Sequence, residues 1–237
     1  MNRTRRGDAK IVIIVVLVVV VVMACACSGI LVALLLPAVQ QARTAARVAQ
    51  STNHMKQIAL ALHNYHDEYG SFPPAYTKDA NGQPLHSWRV LILPYLEQGM
   101  LYERFNLEEP WDSPANQAAA GTMPAIYSSP FLETSGAGDH TPYVAIAGPN
   151  TVINTESPMS FSDVTVGASN TVMVVEDMAN PVVWTQPVDL SPEEFLQRNL
   201  DETPGRATLV GTADGALMRY TEAEKQELQG MMSIDGS

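Results

Sequence analysis

The chain has 237 residues, with 25 acidic against 14 basic side chains and a formal net charge of −11 at pH 7. A surface this acidic repels phosphate groups, so it does not suit nucleic acid or anionic lipid as a partner. Only two cysteines occur, Cys25 and Cys27, and both lie in an apolar segment, which excludes a disulfide framework elsewhere.

The first element is a run of 26 uncharged residues, Ile11 to Leu36. A transmembrane helix needs about 20 apolar residues, so the run predicts a membrane span over residues 11–36. A cleaved secretory signal is disfavoured, because its apolar region is typically about 7–15 residues long. A lipoprotein signal is an alternative, since Val22-Met23-Ala24-Cys25 places a small residue before a cysteine and would lead to lipidation of Cys25.

Residues 1–10 carry four basic side chains against the single acid Asp8; the four are Arg3, Arg5, Arg6 and Lys10. Basic residues beside a first span tend to stay in the cytoplasm. We therefore expect a single-pass protein of the cytoplasmic (inner) membrane, with its N-terminus inside and its C-terminal domain outside. Removing these five residues from the totals leaves 10 basic and 24 acidic residues, a net charge of −14 on the remainder.

No linker follows the apolar run, so one helix is expected to continue from the membrane into the domain over residues 37–70. Pro37 should kink it, because proline removes a backbone donor inside a helix. Apolar residues recur at spacings of three and four from Met55 to Tyr69, which marks one buried face. Gly70 followed by Phe72-Pro73-Pro74 predicts the end of the helix.

Residues 71–237 are expected to form an extracytoplasmic α+β domain. Strands are predicted over 141–146, 171–176 and 181–184, and short helical turns around Pro94. Ser191-Pro192-Glu193-Glu194 predicts a helix to Leu200, and Thr221 with Glu224 predicts a last one to Gln229. Asp214-Gly215 predicts a hairpin between 207–213 and 216–220. The fold class is thus one long N-terminal transmembrane helix continuing into a soluble domain with a small antiparallel sheet and short helices.

Few side chains suggest a site. His63 and His66 are three apart on a helix, yet no third metal ligand is evident, which favours packing. Hard oxygen ligands suit calcium, and four carboxylates near loops and strand ends are candidates, Asp163, Glu176, Asp177 and Asp189. No other cofactor is expected. Tryptophans 88, 111 and 184 could line a ligand groove, but buried core positions are the commoner use.

Many blocks, in order, resemble a bacterial prepilin-like family of unknown function that is also filed under solute-binding proteins. Its members have an N-terminal methylation segment and a C-terminal motif of His, nine residues and Asp-Gly, and they are similar to pseudopilins of the type II secretion G type. The resemblance is carried by Leu34–Gln40, Lys56–His66, Gly70–Pro74, Ser87–Arg89, Leu93–Gln98, Pro110–Pro114, Gly167–Thr171, Glu176, Trp184–Pro187 and Asp214-Gly215.

Two positions depart from that family. Gly7 follows Arg5-Arg6, where a prepilin peptidase would cut, but Asp8-Ala9-Lys10-Ile11-Val12 replaces the Phe that begins the mature family sequence and the Glu at its fifth position. Pro204 stands where the motif would have its His. The resemblance implies a membrane-anchored, pseudopilin-like structural or interaction protein without catalytic activity, assembling with like subunits. The alternatives are an extracytoplasmic solute-binding module and a lipoprotein anchored through Cys25.

Overall fold

The computed structural model describes residues 5–132, 138–200 and 207–236, with side chains left out for residues 5–12 and 24–34. The chain divides into two compact units, residues 1–49 and 50–237, which are considered separately. The predicted lipidation site at Cys25, processing at Gly7 and the Pro204 substitution lie outside what is described. Within the described residues, no helix has a stretch that is both long and apolar enough to cross a bilayer.

The helices are short apart from the first. They are α1 (Arg5–Tyr69), α2 (Trp88–Leu91), α3 (Gly99–Tyr102), α4 (Pro114–Ala120), α5 (Pro192–Gln197) and α6 (Lys225–Gln229). The strands are β1 (Tyr76–Lys78), β2 (Pro84–Ser87), β3 (His140–Thr141), β4 (Tyr143–Ala145), β5 (Ala147–Gly148), β6 (Ile153–Asn154), β7 (Val172–Glu176), β8 (Val182–Val183), β9 (Thr208–Thr212) and β10 (Leu217–Tyr220).

Helix α1 continues through Pro37 and ends at Tyr69, as predicted. Gly70 follows with φ of 75°, a left-handed conformation that glycine adopts without a side-chain clash, and its N–H bonds the His66 carbonyl at 2.7 Å. The expected bend at Pro37 stays a prediction.

The centre of the domain is an antiparallel sheet of four strands in the order β10-β9-β7-β4. Met55, Ile58 and Leu62 of α1 belong to the core cluster on one face, together with Tyr143 and Ala145. Val144, between those two strand residues, belongs instead to the cluster under α5 and α6. This alternation places one helical layer on each face of the sheet.

A bulge in β7 breaks the alternation where β7 pairs with β9, between Val172 and Val174. Met173 and Val174 therefore both pack toward α1, while Val172 and Val175 pack on the opposite face. An extra residue in one strand has this effect because side chains otherwise change face at every position. The bulge therefore gives β7 two consecutive side chains on the face that packs against α1.

The α+β class is confirmed, and so are the hairpin at Asp214-Gly215 and the capping boxes at Ser191 and Thr221. Helix α5 ends at Gln197, earlier than predicted. The pattern failed to predict α4, which begins at Pro114 and is capped by the Ser113 hydroxyl. Nor does the pattern predict β1 and β2, which pair as an antiparallel hairpin with Gly82 at a φ of 83° in the turn between them.

Candidate functional site

The most conspicuous polar side chain of the domain core is Arg89. It stands in the apolar sequence Trp-Arg-Val-Leu-Ile-Leu, lies in α2 and has no exposed surface. Its Nε donates to the Tyr143 carbonyl at 2.9 Å, and one terminal nitrogen donates to the Ser87 hydroxyl at 2.8 Å. The other donates to Asp189 Oδ1 at 2.8 Å. Burying a guanidinium is tolerated only with such partners.

One carboxylate oxygen of Asp189, Oδ1, accepts three hydrogen bonds in this centre. Its Oδ1 also accepts from the Trp88 indole at 3.0 Å and from the Ala145 backbone N–H at 2.8 Å. Its Oδ2 is buried and has no hydrogen-bond partner among the described residues. Burial raises the pKa of Asp189 above its usual range, against the opposing effect of the Arg89 guanidinium. The centre therefore ties α2, β4 and the segment before α5 into one unit.

An open cavity of about 310 Å³ adjoins this centre. Its walls include Ala75, Tyr76, Ala147, Thr155, Val188 and Asp189. The Asp189 carboxyl group is only 3% exposed, so it turns toward Arg89 rather than offering itself to the cavity. The walls thus combine apolar groups with the hydroxyls of Thr155 and Ser191 and the carboxylate of Glu194, a mixed lining of the kind that small-molecule sites have.

A second buried carboxylate, Glu176, ends β7 and lies against α1. The Ser51 hydroxyl donates to its Oε1 at 2.5 Å, and the Ser129 hydroxyl donates to the same oxygen at 3.3 Å. Ser51 also shares a hydrogen bond of 2.9 Å with the Tyr143 hydroxyl. This network joins the helix to the central strands β4 and β7 by polar bonds inside an otherwise apolar layer.

The four calcium candidates have separate protein partners. Glu176 and Asp189 are engaged as described above. Asp163 caps its own turn by accepting from the Ser160 N–H at 2.7 Å, and Asp177 lies 3.4 Å from the Arg198 Nε. Among the described residues, no group of three or more His, Cys, Asp or Glu side chains is arranged to hold a metal ion. Calcium binding by these four residues thus has no geometric support in that part of the chain.

His63 and His66 pack as expected. The His63 Nε2 lies 2.8 Å from the Ala213 carbonyl oxygen, and both imidazole rings contact Phe161, with centroid separations of 5.5 and 4.6 Å. The Asp-Gly turn lies directly beside them, because a side chain at Gly215 would approach the His63 ring within 3.4 Å. The Asp214-Gly215 turn therefore forms a packing contact with α1.

Two of the three tryptophans are core residues. Trp88 and Trp184 have no exposed surface, and the Trp184 indole donates to the Ala120 carbonyl at 2.7 Å while stacking on Tyr127. Trp111 is half-buried. The expectation of core positions is confirmed for Trp88 and Trp184, which are closed to any ligand.

The N-terminal unit has an exposed apolar surface along part of α1. Ile13 to Met23 are eleven successive large apolar residues, and each exposes between 54% and 61% of its surface. Because α1 turns once in about 3.6 residues, these side chains surround the helix on all sides. A helix that is apolar all round requires an apolar environment all round.

These features define an α+β domain with an apolar helical extension and, within its hydrophobic core, the buried Arg89–Asp189 ion pair. The chain belongs to the family described as a protein of unknown function, DUF1559, whose model matches residues 40–225. The match contains Arg89, Asp189 and the Asp-Gly turn, and it begins after the apolar run. No curated protein and no solved structure matches the chain significantly.

The Arg89–Asp189 centre was missed by the sequence reasoning, which treated Asp189 only as a calcium candidate. One signal was present. A single arginine inside a run of five apolar residues is almost never buried without a partner. The identity of that partner, 100 positions away, had no signal in the sequence.

Proposed function

We propose that this protein is a pseudopilin-like structural or interaction protein of the cell envelope, anchored in the cytoplasmic membrane by residues 11–36. The observation that carries this is the exposed apolar surface from Ile13 to Met23. Burying one such side chain is worth roughly 1.5–3 kcal/mol, so eleven of them strongly favour an apolar surrounding. A single protein partner covers one stripe of a helix, whereas lipid covers every side.

The proposed orientation has the N-terminus inside and the domain outside. It is supported by the basic residues of positions 1–10, because basic residues beside a first span tend to stay in the cytoplasm. We infer no reaction for the domain. Its buried charges are consumed by partners within the fold, and its role would be contact with other envelope components.

Membrane extraction tests the anchor. We expect the full chain to stay in the membrane fraction after washing at high pH and a variant lacking residues 11–36 to be released. A Val16→Asp/Val20→Asp variant keeps the length and should also be released. If the full chain is released by the same wash, the anchor does not exist.

A C-terminal fusion tests the orientation. We expect a reporter that is active only outside the cytoplasm to be active when it is fused to the C-terminus.

Assembly is the second half of the proposal. The support is the resemblance to type II secretion G-type pseudopilins, including Gly7 after two arginines and the Leu34–Gln40 block. Mild crosslinking in intact membranes should trap homo-oligomers or complexes with like subunits, and a protein found only as monomer contradicts this part.

The intact mass of the protein extracted from membranes distinguishes the alternatives for its N-terminus. Retained Met1 supports an anchor, cleavage after Gly7 supports pilin processing, and lipid on Cys25 supports a lipoprotein.

Solute binding is a second candidate, favoured by the open cavity beside Asp189. At about 310 Å³ it lies at the lower end of the range for small-molecule sites. Small neutral hydroxylated solutes should raise the melting temperature of the protein. Val188→Trp, at a wall position that is 41% exposed, should fill the cavity and abolish that rise without unfolding the domain. An identical rise in both proteins would exclude the cavity.

A further inference from the structure

The charged residues of α1 before Asp67 are almost all basic, whereas those of the rest of the chain are mostly acidic. No acidic residue occurs in the 58 positions from Ala9 to His66, although the chain has 25. One acidic and seven basic residues precede Asp67, so the positions from there to the end hold 24 acidic and 7 basic residues. Arg43 and Arg47 are the first charged side chains after the apolar run.

Both arginines lie on an open helical surface. Every residue from Leu35 to Arg47 is exposed in α1. Positions four apart share a face of a helix, so Arg43 and Arg47 are neighbours. Neither has an ion-pair or hydrogen-bond partner among the described residues. The two positive charges are therefore available to something outside the fold of this unit.

Their position along the helix places Arg43 just outside the lipid headgroup layer and Arg47 about one turn farther out. Arg43 is seven residues beyond Leu36, about 10 Å at 1.5 Å per residue, and Arg47 is eleven residues beyond it, about 16 Å. The headgroup layer adds about 5–7 Å on each side of the hydrocarbon core. Side chains in a helix lean toward its N-terminus, so both arginines lean back toward the apolar run, and long basic side chains reach the interface in this way. Arginine is also the side chain that best matches phosphate geometry.

We propose that Arg43 and Arg47 bind the phosphate groups of anionic phospholipids at the surface of the membrane that holds residues 11–36. This inference rests on the proposed anchor. The binding sets the depth of α1 and gives an acidic protein a local attraction to an anionic surface. The total charge of the chain argues against such a surface, but an electrostatic interaction is screened beyond about 10 Å at ordinary salt, so the local charges decide.

The test uses the full chain with Cys25 and Cys27 replaced by alanine and a single fluorophore at Thr44→Cys. The protein is reconstituted in vesicles of phosphatidylcholine alone or with phosphatidylglycerol, and quenching by neutral acrylamide is measured. We expect acrylamide to quench the fluorophore about threefold less in the anionic vesicles than in the neutral ones. The expected difference is modest because each basic residue near an anionic surface favours binding to it by only about fivefold. The difference should vanish in 1 M salt.

Arg43→Gln/Arg47→Gln should quench equally in both vesicles while floating with them. Lys56→Gln is the matched control, since Lys56 is exposed on the same helix but lies in the second unit, and it should keep the difference. Equal quenching of the parent protein in both lipids, with insertion intact, overturns this inference and leaves the anchor standing. Failure to float removes the anchor itself. Protection that depends on protein density instead of lipid charge assigns the arginines to the acidic surface of a second copy.

Discussion

Arg89 and Asp189 are 100 residues apart in the chain, and their side chains meet at 2.8 Å with 0% and 3% of their surfaces exposed. The pair joins a short helix to the segment that precedes α5, and Trp88 and Ala145 donate to the same carboxylate oxygen. A buried pair of this kind contributes little net stability compared with an apolar pair of the same size, because both ions have lost their water.

Breaking the pair should be costly. Arg89→Met leaves Asp189 buried without its counter-ion, and we expect the free energy of unfolding to fall by about 3–5 kcal/mol, measured by urea denaturation. The double variant Arg89→Met/Asp189→Leu should lose less than either single variant. Arg104→Gln, an exposed arginine bonded to the Ala118 carbonyl, should change stability by less than about 1 kcal/mol. A small effect of Arg89→Met would show that the pair is dispensable.

The Ser51–Glu176 bond should hold the helix to the sheet. Ser51→Ala removes the hydroxyl that donates to Glu176 Oε1 at 2.5 Å, and only 2% of the Glu176 surface is exposed to water that could replace it. The free energy of unfolding should therefore fall by about 1–3 kcal/mol. Thr44→Ala is the control, because its hydroxyl bonds only the Gln40 carbonyl on an exposed part of α1. Equal melting temperatures for Ser51→Ala and the parent domain would contradict the role of this bond.

Gly215 should resist substitution for conformational reasons. Its φ of 83° costs a residue with a side chain about 1–2 kcal/mol, whereas the nearest atom to an added Cβ, in the His63 ring, is at an ordinary contact distance of 3.4 Å. Gly215→Ala should therefore lower the unfolding free energy by about that amount. Gly99→Ala, with no positive φ and open space around the new carbon, should be neutral or slightly stabilising. A neutral Gly215→Ala would mean that the turn relaxes.

Asp214 gives a pH dependence with a defined sign. The Thr212 hydroxyl lies 2.6 Å from its carboxylate and, with the Ala216 N–H, holds the pKa of Asp214 below its usual range. Because the pKa of Asp214 is lower in the folded protein than in the unfolded chain, the ionised side chain stabilises the fold at pH values above the unfolded-state pKa of about 3.9. This stabilisation is lost as the pH falls toward the folded-state pKa. A carbon-13 NMR titration should show the low pKa, and Thr212→Val should raise it. An unchanged pKa in that variant would assign the shift to other groups.

Local patterns predicted much of the fold because they report local physics. The end of α1 at Gly70, the capping boxes at Ser191 and Thr221, and the Asp-Gly hairpin all depend on backbone conformations set within a few residues. Helix α4 was missed, although Ser113-Pro114 carries the same N-cap and proline signal as Ser191-Pro192. The bulge in β7 had no local signal, since a run of valines and a methionine suits either face.

By itself, the sequence determined the apolar run, the charge asymmetry along α1, the α+β class and a few element boundaries, such as the end of α1 and the Asp214-Gly215 hairpin, because these follow from composition and short-range spacing. Only the tertiary structure decided which polar side chains are consumed inside the fold. It paired Asp189 with Arg89 and Glu176 with Ser51, and it placed the Asp-Gly turn against His63. Partners so distant in sequence are selected by burial, which a linear pattern does not contain.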